Sequence, residues 1–238
     1  MALDIVDLQE FYATPLGQQC RRRITQMIKA VWPDVNHLSL LGMGYPIPYL
    51  DGYKAQAERV CVMMNAPQGI MHWPSEEKNL TALIDYDAVP LADQTFDRIL
   101  VIHSLEHAHM PQAYLRELWR ILKDNGRIFV VTPNRRSIWA QLDDSPFGHG
   151  NPYTMGQLSR LLREFQFTPL QSVRGLYIFP TYHRSLHSSF RIFDLVGPLI
   201  FKNFSGLVGI EAIKQVYGGV YFKEKKPLMA SLVRARTT

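Results

Sequence analysis

Three groups of residues in this chain are of types that can do chemistry. Gly42 and Gly44 close an apolar stretch and leave the backbone bare of side chains. That either lets a ligand approach closely or serves a tight strand-to-helix turn. His103 ends another apolar stretch and His149 sits in a later loop; a histidine titrates near neutral pH and can take up or release a proton during a reaction. The third group is Asn134, Arg135, Arg136 and Trp139, followed by His149 and Tyr153. Donors, paired guanidinium groups and aromatic rings together suit a substrate that carries a carboxylate or phosphate. An exposed basic loop held by glycine and proline turns has the same composition.

The elements that must position these groups can be read from periodicity. Ile24, Met27, Ile28 and Val31 recur at helical spacing behind Arg21, Arg22 and Arg23, and Pro33 stops the helix. Residues 37–41 read as a strand that runs into the Gly42-Met43-Gly44 turn, and a short helix can begin at Pro48. Residues 59–64 and 98–103 read as two more strands, the second apolar almost throughout, as in a parallel strand buried on both faces. Leu115, Leu118, Trp119 and Leu122 mark a helix that Pro111 starts and Asn125-Gly126 ends, and residues 127–132 follow as a strand. Strand, helix and strand in succession make a parallel pair with a right-handed crossover. Thr154 to Gln157 has the form of a capping box ahead of a further apolar helix, and residues 167–174 read as a strand. The alternation predicts an α/β fold, a doubly wound, Rossmann-like, mostly parallel sheet with helices on both faces and its ligand at the C-terminal strand ends.

Composition narrows the class. With 238 residues, 47% of them hydrophobic, the chain can bury one substantial core. The 26 basic and 21 acidic residues leave a net charge of +5, a mild excess that does not by itself call for nucleic acid. Cys20 and Cys61 form neither a redox pair nor a thiolate metal site, so no metal is expected. The N-terminus lacks the apolar core of a secretory signal, and no apolar run is long enough to span a bilayer. A cytoplasmic protein is expected. Residues 177–204 are rich in aromatic and apolar side chains, which suits a lid, a dimer element or peripheral membrane contact.

Five segments in order carry a resemblance to a known family. They are Leu40-Leu41-Gly42-Met43-Gly44, Asp85 to Leu91, Phe96-Asp97, Leu105-Glu106-His107, and Leu118 to Gly126 with Thr132-Pro133-Asn134 behind it. In this order and spacing the chain resembles the class I S-adenosylmethionine-dependent methyltransferases, over about residues 37–170. The resemblance implies a sheet of about seven strands, S-adenosylmethionine as cofactor, and methyl transfer to a small acceptor, anionic or lipophilic. It implies an N-terminal helical cap over 1–36, a methyltransferase-like core over 37–175, and a C-terminal helical insertion, last strand and basic tail over 176–238.

The same resemblance implies the cofactor contacts. Gly42 and Gly44 would face the methionine part, Asn65 the ribose, and Asp85 the adenine amino group with the Tyr86 backbone beside it, and His103 is a further cofactor-binding candidate. Methyl transfer from a sulfonium demands no mandatory catalytic residue, and His103 and His149 are the candidates for a general base by their places in the chain. Two departures from the pattern stand out. Tyr45-Pro46-Ile47-Pro48 replaces the usual run of small residues and lacks two backbone N–H donors. Asn65 stands where the family has a carboxylate, so a charge-assisted grip on the ribose is missing. These departures leave a second reading open, a catalytically silent binding or assembly protein on the same fold.

Overall fold

The computed structural model describes residues 3–177 and 202–216. The aromatic stretch between 178 and 201 and the basic tail after 216 lie outside the described residues, and with them most of the expected C-terminal insertion. Seven strands form one sheet: β1 (Ser39–Gly44), β2 (Arg59–Asn65), β3 (Thr81–Ile84), β4 (Phe96–Ile102), β5 (Leu122–Pro133), β6 (Phe167–Gly175) and β7 (Leu207–Lys214). Their order is β3-β2-β1-β4-β5-β7-β6, and only the pairings made by β7 are antiparallel. The chain thus runs outward from β1 to one edge, then returns to start again at β4, which makes a switch point between β1 and β4.

The two faces of the sheet are covered by different helices. Leu40, Val62, Leu100 and Phe129 pack with α1 (Ile5–Ala13), α2 (Pro15–Val31) and α3 (Ile47–Lys54). Leu41, Met63, Ile99 and Val130 face the other way, against α4 (Pro111–Ile121) and α5 (Met155–Glu164). This is the alternation that a strand buried on both faces must show, because successive side chains point to opposite sides.

Local chemistry sets the helix boundaries. Pro111 starts α4, where its missing N–H costs nothing, and Thr154 caps α5 in a full capping box with Gln157. Asn125, at φ 60°, makes the turn into the paired part of β5. Two elements go beyond the sequence reading. Helix α1 precedes the expected N-terminal helix, capped by Asp4, and the corner between α1 and α2 is shared by Thr14, which caps α2. The short edge strand β3 carries too few residues to show a period.

Candidate functional site

The C-terminal ends of β1, β2, β3 and β4 meet on one edge of the sheet, where the order reverses. They bring Gly44, Asn65, Asp85 and His103 to the same side of the molecule, although these residues are spread over much of the sequence. A ligand of an open α/β sheet binds at such an edge.

The glycine turn is not where the sequence places it. Gly42 and Gly44 stay in β1, paired with β4 as far as Gly44 opposite Ile102, and the N–H of Tyr45 extends the ladder to the Ile102 carbonyl. The chain turns at Tyr45 and Pro46 instead, and α3 begins at Ile47 rather than Pro48. A side chain on Gly42 would run into Pro46 and Leu50, and one on Gly44, at φ 85°, into the Ile102 carbonyl and Ser104. Both glycines are therefore required by the protein's own packing. The N–H of Tyr49 is spent on the Pro46 carbonyl, and Pro46 and Pro48 have none. The start of α3 thus presents few of the free N–H groups that make a helix N-terminus an anion site.

Beside this turn lies a buried polar cluster. Asn65 is fully buried, and its amide donates to Gln68 Oε1 at 3.1 Å and to Ser104 Oγ at 3.0 Å. Gln68 in turn donates to the His103 carbonyl at 2.6 Å. Ser104 shares a hydrogen bond with the Tyr114 hydroxyl at 2.7 Å, and its N–H donates to Glu106 Oε2 at 3.3 Å. Within this cluster Asn65 Oδ1, Tyr86 Oη, His103 Nδ1 and Glu106 Oε1 are buried without a hydrogen-bond partner. Buried polar atoms are nearly always paired, so four orphans on one edge make it the candidate ligand site.

A chain of hydroxyls sets the tautomer of His103. The Tyr49 hydroxyl donates to that of Tyr12 at 2.8 Å, and Tyr12 lies 2.7 Å from His103 Nε2. Because the Tyr12 oxygen accepts from Tyr49, its own proton goes to Nε2, and the neutral imidazole carries its proton on Nδ1. His103 sits at φ 51°, a conformation that L residues rarely adopt and that tends to be kept where function needs it. Burial pushes its pKa down to about 3, with His107 adding to the effect. A ring held that low is neutral at neutral pH and only weakly basic. Burial acts oppositely on Glu106, whose carboxyl is pushed up to about 7.

The remaining sequence-predicted residues are divided. Asp85 is exposed in the turn after β3, while Tyr86 is buried with its ring edge-on to Tyr114 at 5.0 Å. Asn134 is buried and donates to the carbonyls of Asn203 and Ser205, which ties the end of β5 to the start of β7. Trp139 is buried against Phe147. The other loop residues fall into two clefts. Arg135 and Tyr153 line a groove of about 390 Å³ with His109, Gln112, Gln157 and Arg160. Arg136 is exposed. His149 lines a separate cleft of about 410 Å³ with Asp7, Glu10, Asp143 and Asp144, and its Nε2 lies 2.8 Å from the Asp143 carbonyl. Sequence reasoning missed Tyr12, Gln68 and Ser104, whose roles depend on contacts across the fold.

Comparison with known proteins agrees with this architecture. A family model described as a methyltransferase domain matches residues 37–172, more than half of the chain. The chain belongs to that methyltransferase-domain family. An uncharacterized protein of Escherichia coli (strain K12), YafE, is 35% identical over 95 residues, which are 37% of this chain and 46% of YafE. The match thus spans about half the length of that relative. Among solved structures, a methyltransferase of Thermotoga maritima, described as S-adenosylmethionine-dependent and a possible histamine N-methyltransferase, superposes with a TM-score of 0.62 at 15% identity, over 87% of this chain and 94% of that one. The 1,6-didemethyltoxoflavin-N1-methyltransferase of Burkholderia thailandensis, solved with that compound and S-adenosylhomocysteine, gives 0.52 at 16% identity, over 80% and 76%.

S-adenosylmethionine is the cofactor of such domains, and the residues fit its two halves differently. The orphaned oxygens of Asn65, Tyr86 and Glu106 and the N–H of His103 suit the hydroxyls and amino group of an adenosine. At the methionine end the β1–α3 turn is closed by Pro46, Tyr45 and Tyr49, and its backbone donors are largely spent.

Proposed function

We propose that this chain is an S-adenosylmethionine-dependent methyltransferase acting on a small anionic acceptor. The cluster of unpartnered buried polar atoms at the switch point of a methyltransferase-family sheet carries this reading. Asn65, Tyr86 and His103 would hold the adenosine end, with Asp85 at the rim and Gly42 and Gly44 keeping β1 close to β4. When bound, the cofactor supplies an electrophilic methyl group on a sulfonium.

Displacement at such a methyl group needs alignment and exclusion of water more than a dedicated base. Tyr12, Tyr45, Tyr49 and Phe147 wall this edge with buried rings, and so provide that exclusion. The acceptor is assigned to the groove between Arg135 and Arg160, whose guanidinium groups suit a carboxylate or phosphate, with Tyr153 offering a ring face and a hydroxyl.

Calorimetric titration with S-adenosylmethionine and S-adenosylhomocysteine tests the reading. Saturable binding at micromolar or weaker strength is expected, because the adenosine contacts are present while the turn gives the methionine end little. No saturation at millimolar ligand would make this a silent binding module on the same fold.

A further inference from the structure

A carboxylate from the turn after β4 reaches the polar cluster at the end of β2. Asn65, in the family's acidic position, is neutral, yet Glu106 comes to the same cluster through Ser104, which accepts from Asn65 and donates to Glu106. Glu106 is 1% exposed, its Oε1 has no hydrogen-bond partner, and that oxygen lies 3.8 Å from His103 Nδ1, which has none either. The hydroxyl chain from Tyr49 through Tyr12 leaves the His103 proton on Nδ1, so the two orphans are a donor and an acceptor. They are too far apart to satisfy each other. A hydroxyl oxygen at about 2.8 Å from each closes a triangle on that base, accepting from Nδ1–H and donating to Oε1.

We propose that Glu106, His103 and Asn65 form a subsite for a vicinal diol, in which one hydroxyl bridges His103 Nδ1 and Glu106 Oε1 and its neighbour donates to Asn65 Oδ1. This rests on the methyl-donor reading, since the ribose of S-adenosylmethionine carries such a pair. Gln68, whose amide lies between Asn65 and the His103 carbonyl, is the side chain that an entering ligand displaces. It is carried on the three-residue turn Ala66–Gln68 next to Gly69, at φ 88°, a small element to move.

The subsite has a titration signature. A hydroxyl donating to Glu106 favours its charged form, whereas burial holds the free carboxyl up to about 7. Affinity therefore rises with pH as far as about 7 and is level above it, and binding releases a proton on the acid side. The groups facing Glu106 do not titrate in that window: His103 and His107 are held down to about 3 and about 4, and Tyr86, Tyr114 and Tyr153 are raised above the tyrosine range.

The test is calorimetry on the full chain with S-adenosylhomocysteine and its 2′-deoxy and 3′-deoxy counterparts, from about pH 5 to 9, for the wild type and Glu106→Gln. Loss of either hydroxyl is expected to weaken binding roughly tenfold or more, and Glu106→Gln to do the same and flatten the pH profile. Equal affinity for the deoxy ligands, or a Gln variant with wild-type affinity and pH profile, overturns the subsite while leaving the methyl-donor reading intact. Absence of any binding overturns both. Should the variant fail to fold, the deoxy ligands and the proton release of the wild type decide alone.

Discussion

The hydroxyl of Tyr12 lies 2.7 Å from Nε2 of His103, joining the N-terminal helix α1 to the end of β4 across 91 positions of sequence. Both residues are buried, so the contact is made away from water and its loss is felt in full. It fixes the imidazole tautomer and brings a tyrosine ring over the strand-end edge.

Tyr12→Phe keeps the ring and removes the donor, leaving His103 Nε2 and the Tyr49 hydroxyl without their partner. A loss of about 1 to 3 kcal/mol is expected, the usual cost of stranding a buried polar group. Urea unfolding at neutral pH measures it. Unchanged stability would show that the imidazole finds another donor.

Gly17→Ala should destabilise, although glycine to alanine inside a helix ordinarily stabilises by about 0.5 to 1 kcal/mol. A Cβ on Gly17 would strike the Phe11 carbonyl and come within 2.7 Å of Tyr12 Cα. The corner between α1 and α2 must then open, at about 1 to 3 kcal/mol. Hydrogen exchange should show α1 less protected while β4 and β5 stay as they were. A stabilised variant would mean the corner adapts freely.

Glu106→Gln should stabilise the free protein more at pH 8 than at pH 5. The folded carboxyl is raised by burial to about 7, above the usual carboxylate range. Its stabilising contribution is therefore complete below the unfolded pKa and is lost as pH rises through the folded one. Glutamine removes that loss and still accepts from the Ser104 N–H. The gain should grow by about 1 to 3 kcal/mol between the two conditions, read from paired denaturant titrations. A gain independent of pH would show that Glu106 does not titrate there.

Asn65→Asp should destabilise the protein. Asn65 is fully buried and uses both amide hydrogens, on Gln68 and Ser104, which aspartate does not possess. It would also place a second carboxylate close to Glu106, through their shared neighbour Ser104. A loss of about 2 to 5 kcal/mol follows from a buried, poorly paired charge, and thermal unfolding should show a clearly lowered midpoint. A variant as stable as the wild type would mean that the cluster is more open than its burial implies.

The sheet was legible in the sequence because its signals are local. Apolar runs at residues 59–64, 98–103 and 127–132, the stripe from Leu115 to Leu122, and the Thr154 and Gln157 capping box each act within a few residues. Strand β3 and helix α1 escaped for the complementary reason, since a four-residue edge strand shows no period and α1 is amphipathic only against neighbours supplied by the fold.

The sequence by itself also determined that Asn65 is neutral and that Pro46 and Pro48 cannot donate, because these are properties of residue type. Only the tertiary structure decided that β1 continues through Gly44, since that depends on pairing with Ile102, more than fifty positions away. It alone made Glu106 a buried group with a raised pKa, because a carboxyl's pKa is set by what surrounds it. The tautomer of His103 was decided in the same way, by hydroxyls from α1 and α3 that meet the strand end in the folded chain and nowhere along the sequence.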